Sequence, residues 1–226
     1  MKPDITVILL AGGQGSRFAQ KTPKQYLPLG GKILALHSFD FFLKQACVQE
    51  IVVVCAAEYQ KIFQKSDLPA LTFAPPGKRR QDSLINGFQK RRLPAALCCI
   101  HDAARPFIRQ EDFTKTLAAA RATGAATLGY PVSETIKSCT AKMLVKKTLP
   151  RKTLYQIQTP QIILSSLLQR AIENVLAKQL LVTDDVSMVE ALQEPVQVVS
   201  GSNHNLKITV EQDLKWAEFL CQTNTY

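Results

Sequence analysis

Ile5-Thr6-Val7-Ile8-Leu9-Leu10-Ala11 runs without a charge and breaks into Gly12-Gly13-Gln14-Gly15. A short, continuous, aliphatic and β-branched run that ends in glycines is the pattern of a strand buried on both faces and feeding a tight loop. Further apolar runs at 51–56, 70–74, 95–101, 125–130 and 196–200 alternate with segments of helical spacing at 34–45, 58–65, 81–92, 111–123, 164–177, 184–193 and 211–222. Strands alternating with helices predict an α/β fold, with a twisted, mostly parallel sheet flanked by helices. Ligands bind such sheets beyond the carboxyl ends of the strands, so the loops that follow strands are where function is sought.

One stretch, at about 131–152, breaks the rhythm. Val132-Ser133-Glu134-Thr135-Ile136, a polar centre at Ser138-Cys139-Thr140-Ala141 and then Met143-Leu144-Val145 read as a protruding β-hairpin arm. An arm with so little core of its own packs on a partner chain or serves as a flap. The 226 residues otherwise fit one domain, 1–226, without repeats or Pro/Ser-rich linkers. A composition 46% hydrophobic and 20% charged excludes disorder and coiled coils. No apolar run approaches the ~18 residues of a membrane span, and the first strand lies too close to Asp4 for a signal peptide, so a soluble, cytoplasmic protein without a membrane partner is expected.

Lys plus Arg number 28 against 18 Asp plus Glu, a net +10 that favours an anionic partner. Residues 1–50, 51–100, 101–150 and 151–226 hold 6, 8, 8 and 6 of these cations, so there is no basic tail. Aromatics are only 7%, too few for the stacking surface of a nucleic-acid-binding module, and small phosphorylated ligands are favoured over a polymer. Six cysteines without CxxC spacing and three scattered histidines give little support to a disulfide framework, a zinc site or a triad.

Three loops carry candidate chemistry. The glycines at 12, 13 and 15 let backbone amides approach an anion, with Arg17 and, in Pro23-Lys24-Gln25-Tyr26-Leu27, Lys24 to face phosphates. The segment matches neither G-x-G-x-x-G nor the Walker A loop, because Gly31-Lys32 is followed by Ile33. His101-Asp102-Ala103-Ala104-Arg105-Pro106 sets a carboxylate at a strand's carboxyl end, where Asp102 suits a divalent cation or a substrate, or pairs simply with Arg105. In Pro76-Gly77-Lys78-Arg79-Arg80-Gln81-Asp82-Ser83, Asp82 or Ser83 suits a helix cap while Gly77 permits close backbone approach. Thr183 is another N-cap candidate, and Lys207 reads equally as a surface lysine.

In order and spacing these pieces, with Thr159-Pro160-Gln161, Thr183-Asp184 and Asn205-Leu206-Lys207-Ile208-Thr209, resemble the 2-C-methyl-D-erythritol 4-phosphate cytidylyltransferase family over nearly the whole chain. The resemblance implies a Rossmann-like nucleotidyltransferase fold, a homodimer joined through the β-arm, and coupling of CTP with methylerythritol phosphate in the non-mevalonate route to isoprenoids. It implies that Arg17, Lys24 and Lys207 are catalytic. Gly12, Gly13, Gly77 and Ser83 would take the cytidine, and Asp102, Arg105, Thr159 and Thr183 would line the acceptor pocket. Thr135 and Arg151 would reach in from the partner's arm. The implied cofactor is a divalent cation, Mg2+, on Asp102. His204 stands where the family usually has Asp, which removes a second carboxylate and leaves the magnesium held chiefly by the nucleotide. Lys78 and Glu211 are further departures. A ribitol-5-phosphate cytidylyltransferase has similar loops and is the nearest alternative; a sugar-nucleotide pyrophosphorylase fits the 159–161 and 205–207 pieces less well.

Overall fold

A computed structural model of the chain describes residues 3–13, 22–64 and 70–223. The strands are β1 (Ile5–Leu10), β2 (Pro28–Leu29), β3 (Lys32–Ile33), β4 (Val48–Val54), β5 (Ala70–Ala74), β6 (Leu97–Asp102), β7 (Ala125–Pro131), β8 (Lys137–Cys139), β9 (Val145–Thr148), β10 (Tyr155–Leu164) and β11 (Gln197–Ser200). The helices are α1 (Leu34–Leu43), α2 (Arg80–Gln89), α3 (Gln110–Thr123), α4 (Ser165–Ala177), α5 (Val186–Glu190) and α6 (Glu211–Thr223). Seven strands form one sheet in the order β11-β7-β10-β6-β1-β4-β5.

Side chains alternate across each central strand, and both sets are buried, which is why these strands read as unbroken apolar runs. Val7 and Leu9 of β1, Ile51 and Val53 of β4 and Cys99 of β6 pack with Phe39 and Phe42 of α1 and Phe113 of α3. Ile8, Val52, Val54, Cys98 and Ile100 face the other way, against Leu84 and Phe88 of α2 and Leu168 and Ile172 of α4. A smaller cluster under α6 joins Leu29, Leu34, Phe107, Ile208 and Leu220. It ties the segment before α6 to the loop after β6. No helix among the described residues is long and apolar enough to cross a membrane.

Strands β1, β4, β5 and β6 are parallel, as are β7 and β11, but β10 runs antiparallel between β6 and β7. Sequence periodicity misses β10 altogether. Its polar Gln156, Gln158, Thr159 and Gln161 and its Pro160 mimic a loop, and the ladder with β7 is broken between Ile157 and Gln161, around the residue that has no N–H to give. The insertion has a functional consequence: β10 enters the sheet from the edge at which β6 leaves it, so Thr159 and Gln161 lie beside the end of β6.

Other expectations shift more modestly. Ala57–Phe63 forms 3-10 turns rather than an α-helix, and α5 is shorter than the 184–193 segment suggests. The hairpin is present, but its strands are β8 and β9 rather than 132–136 and 143–145, with Met143 in its turn at a φ of 61°. It is a separate two-stranded sheet whose β9 residues are all exposed.

Candidate active site

The glycine loop after β1 is held from below. Residues Lys24–Tyr26 form one 3-10 turn in which the Gln25 side chain donates to the Ala11 and Gly13 carbonyls at 2.7 and 2.8 Å. The Tyr26 hydroxyl donates to Ala11 at 2.8 Å, and its ring stacks on Tyr59 with centroids 3.8 Å apart. Gln25 and Tyr26 are therefore the buried anchors of their motif, and Lys24 is carried beside them. Burial opposes ionisation of Asp213, but hydrogen bonds from Thr209 and Val210 and the nearby charge of Lys24 hold its carboxyl below the usual range. Lys24 is thus close to the start of α6, just beyond Lys207.

Gly12 passes the loop after β5 so tightly that a Cβ there would lie 2.3 Å from the Cβ of Pro76. Gly77 lies over the first turn of α2, where a Cβ would meet Asp82 Cβ at 2.3 Å and the Ser83 nitrogen at 2.9 Å. Two bonds fasten this fold-over. The Gly77 N–H donates to Ser83 Oγ at 2.9 Å, and Ser83 donates to the Arg79 carbonyl at 3.2 Å. Asp82 accepts the Arg79 N–H and so caps α2.

Asp102, at the carboxyl end of β6, is the centre of a charge cluster. Its side chain lies 2.8 Å from Lys207 Nζ, 3.1 Å from Arg80 Nε and 3.9 Å from Arg105 Nε. Burial alone would raise its pKa, but the charges of Arg80, Lys207 and Arg105 outweigh it and hold the carboxyl far below the usual range. Arg80 forks both terminal nitrogens onto Asp185 at 2.7 Å each, and Asp185 is fully buried. Burial pushes the Asp185 carboxyl up against the pull of that guanidinium. Around Asp102 itself three cations face one carboxylate, while Asp185, with Asp184 beside it, balances Arg80 from the other side.

Beneath it lies a hydrogen-bond relay whose direction follows from chemistry. His101 Nε2 is 3.1 Å from the Arg105 carbonyl, which can only accept, so Nε2 carries the proton. His101 Nδ1 then accepts from Thr159 Oγ1 at 3.1 Å, and Thr159 Oγ1 accepts the Asp102 N–H at 3.0 Å. Burial lowers the His101 pKa to about 4, so the ring is neutral in this role. Asn205 completes the floor by donating to the Thr159 carbonyl at 2.9 Å and accepting Arg105 at 2.8 Å through its backbone. The Ile208 N–H, held by Ala104 at 2.9 Å, sets Lys207 beside Asp102.

Of the residues expected from sequence, the fold brings Asp102, Arg105, Thr159 and Lys207 together and sets the Gly12 and Gly77 loops side by side. Gly13 borders the described part of its loop, and Arg17 lies outside the described residues. Thr159 is buried and its hydroxyl proton points to His101, so it ties β10 to β6. Thr183 is exposed, two residues before Asp185. It does not cap α5: Asp184 accepts the Ser187 N–H, while Gln161 Oε1 accepts those of Asp185 and Val186 at 2.9 Å. Thr135 and Arg151 sit on the arm, where Arg151 donates to the Ser133 carbonyl at 2.9 Å, and neither shares a hydrogen bond or ion pair with the Asp102 cluster. Among the described residues no group of three or more His, Cys, Asp or Glu is placed to hold a metal ion. Sequence reasoning assigned no role to Arg80, His101, Gln161 or Asp185. The signal for them was their place inside the matched motifs or, for Asp185, next to one.

Comparison with known proteins identifies the family. Residues 5–223 match the family described as IspD, 2-C-methyl-D-erythritol 4-phosphate cytidylyltransferase. The chain is similar to the chloroplastic protein of that name from Oryza sativa subsp. japonica, 47% identical over 220 residues, 96% of this chain and 74% of that one. It is 39% identical to the protein of that name from Chlamydia pneumoniae, over 95% of this chain and 98% of that one. The crystal structure of 4-diphosphocytidyl-2C-methyl-D-erythritol synthase from Anaerococcus prevotii superposes with a TM-score of 0.86 at 28% identity, covering 97% and 98% of the two chains. Sequence and fold agree, and the chain belongs to the 2-C-methyl-D-erythritol 4-phosphate cytidylyltransferase family.

Proposed function

We propose that the pocket at the carboxyl edge of the sheet joins CTP to 2-C-methyl-D-erythritol 4-phosphate, giving 4-diphosphocytidyl-2-C-methyl-D-erythritol and pyrophosphate. The observation that carries this is the excess of positive charge around Asp102, opposite a glycine loop whose backbone is pinned by Gln25 and Tyr26. A phosphate oxygen attacking the α-phosphorus of a nucleotide brings two polyanions together, so catalysis is chiefly charge neutralisation and in-line positioning. Arg17 and Lys24 hold the triphosphate, while the Gly12-Gly13 backbone, Gly77 and the Ser83 side chain take the cytosine. Lys207 and Arg105 take the acceptor phosphate, and Thr183 borders the acceptor. Asp102 keeps Lys207 oriented until the acceptor arrives.

A divalent cation, Mg2+, fits this site in one way only. Among the described residues Asp102 is its one carboxylate, already faced by cations, so the nucleotide phosphates and water would supply the other ligands, and His204 adds no acidic group. Bound there, the cation neutralises charge on the transferring phosphates. We further propose that the protein is a homodimer whose arm carries Thr135 and Arg151 into the partner's pocket. What supports this is that neither joins the cluster of its own chain, while Met143, Leu144 and Val145 leave the hairpin with an exposed apolar tip.

The test is pyrophosphate release by the pure protein with Mg2+ and CTP, with methylerythritol phosphate or ribitol 5-phosphate supplied in parallel. Release with methylerythritol phosphate is expected. Release with ribitol 5-phosphate alone overturns the acceptor assignment.

A further inference from the structure

Arg80 has a geometry that neutralising a buried carboxylate does not require. Its two terminal nitrogens fork onto the two oxygens of Asp185, and its Nε, on the same rigid plane, donates to one oxygen of Asp102 at 3.1 Å. Asp185 is itself fixed, because Gln161 of β10 accepts the backbone N–H groups of Asp185 and Val186 and donates to Asp184 at 2.8 Å. The chain of constraint runs from β10 through α5 and α2 to the end of β6. It leaves Asp102 Oδ1 committed to Arg80 and Oδ2 facing Lys207 and, at 3.9 Å, Arg105.

We propose that Arg80, clamped by Asp185, is a positioning residue that fixes the orientation of the Asp102 carboxylate and, through it, of Lys207. The inference rests on the cytidylyl-transfer reading and deepens it. A planar guanidinium transmits the orientation of one carboxylate to another, whereas a lysine ammonium in the same place supplies the charge without the fork. The clamp also explains why the segments around 80, 102, 161 and 185, scattered along the chain, form a single unit. Each supplies one link.

The experiment compares the full-length wild type with Arg80→Lys, Asp185→Asn, Asp102→Asn and the double variant Arg80→Lys/Asp102→Asn, measuring kcat and both KM values in the CTP and methylerythritol phosphate reaction. Pyrophosphate release by the wild type tests the underlying reading by itself. Arg80→Lys keeps the charge, so it is expected to melt cooperatively near the wild type while kcat falls ~10- to 100-fold and the KM for CTP stays within ~threefold. Asp185→Asn loosens the clamp with Arg80 still present and is expected to lower kcat in the same way. If Arg80 acts through Asp102, adding Arg80→Lys to Asp102→Asn costs less than ~twofold more. Full multiplication of the two losses, a wild-type kcat in Arg80→Lys, or failure of both single-clamp variants to fold overturns the proposal, the last because the bridge would then be structural alone.

Discussion

Lys207 Nζ stands 2.8 Å from Asp102 Oδ2, so the most exposed of the three cations is restrained by a carboxylate that Arg80 holds from the other side. A lysine fixed this way is preorganised for an incoming phosphate, and preorganised donors are worth about 3 to 4 kcal/mol in the transition state. Lys207→Ala and Lys24→Ala are each expected to lower kcat at least ~100-fold while leaving the fold intact, since Asp102 keeps its pairing with Arg80 and Asp213 keeps its hydrogen bonds from Thr209 and Val210. Turnover measurements alongside circular dichroism check this, and a near-normal rate in either variant removes that lysine from the mechanism.

Gly77→Ala is expected to weaken nucleotide binding rather than acceptor binding. The new Cβ would lie 2.7 Å from the Asp82 carbonyl carbon, a backbone atom that cannot swing aside, so the loop must lift from α2 and give up its bond to Ser83. Overpacking of this kind costs about 1–3 kcal/mol, and every ~1.4 kcal/mol that falls on binding is a tenfold weaker affinity. Isothermal titration with CTP gives the answer. Unchanged affinity would separate Gly77 from the nucleotide site.

Acid should destabilise the protein well before its carboxylates titrate. Unfolded His101 takes up a proton near pH 6.5, whereas burial delays protonation in the folded chain until about pH 4. Between these values the unfolded state binds more protons, so stability rises with pH, and acidification across the window costs about 3 kcal/mol from this residue. His37, also lowered by burial, acts in the same direction. Asp102, whose folded pKa is depressed, contributes stability that is present above about pH 4 and is lost at lower pH. Melting temperatures from pH 7 to 4 are expected to fall steadily, with a visibly shallower slope in His101→Gln. Equal slopes would mean that His101 is not held neutral.

The exposed tip of the hairpin gives the arm its own test. Met143, Leu144 and Val145 are 80, 65 and 62% exposed, an apolar run that a second copy of the chain would cover. Sedimentation equilibrium is expected to show a dimer for the wild type and a monomer for Leu144→Glu, with weaker use of methylerythritol phosphate in the variant. A Leu144→Glu protein of unchanged mass would place any interface elsewhere.

The candidate metal divides structure from chemistry. With Asp102 as its only carboxylate among the described residues and cations already around it, a divalent ion adds nothing to the folded state before the nucleotide arrives. Chelation with EDTA is expected to stop pyrophosphate release and leave the melting temperature unchanged. A lowered melting temperature would indicate a resident metal.

The central strands and most helices were legible in the sequence because burial on both faces writes itself as short apolar runs, and because helices on a sheet must repeat with helical spacing. The loops at the carboxyl edge were legible for a related reason: glycines that permit close approach, and cations that await phosphate, are required by residue type at fixed places along the chain. Strand β10 was not. Its polar side chains are buried in hydrogen bonds to distant segments, and no local pattern distinguishes a buried Gln161 holding the start of α5 from a glutamine in a loop.

Sequence by itself therefore determined the α/β alternation, the candidate loops and the excess of positive charge. Which cation meets which carboxylate was decided by tertiary structure alone. Arg80 and Asp185 are separated by 105 residues of chain and come together only because β10 enters between β6 and β7 and its Gln161 holds the start of α5 where Arg80 can reach Asp185. Pairing at that range depends on where the packed core holds each backbone, a property of the whole fold that no window of sequence contains.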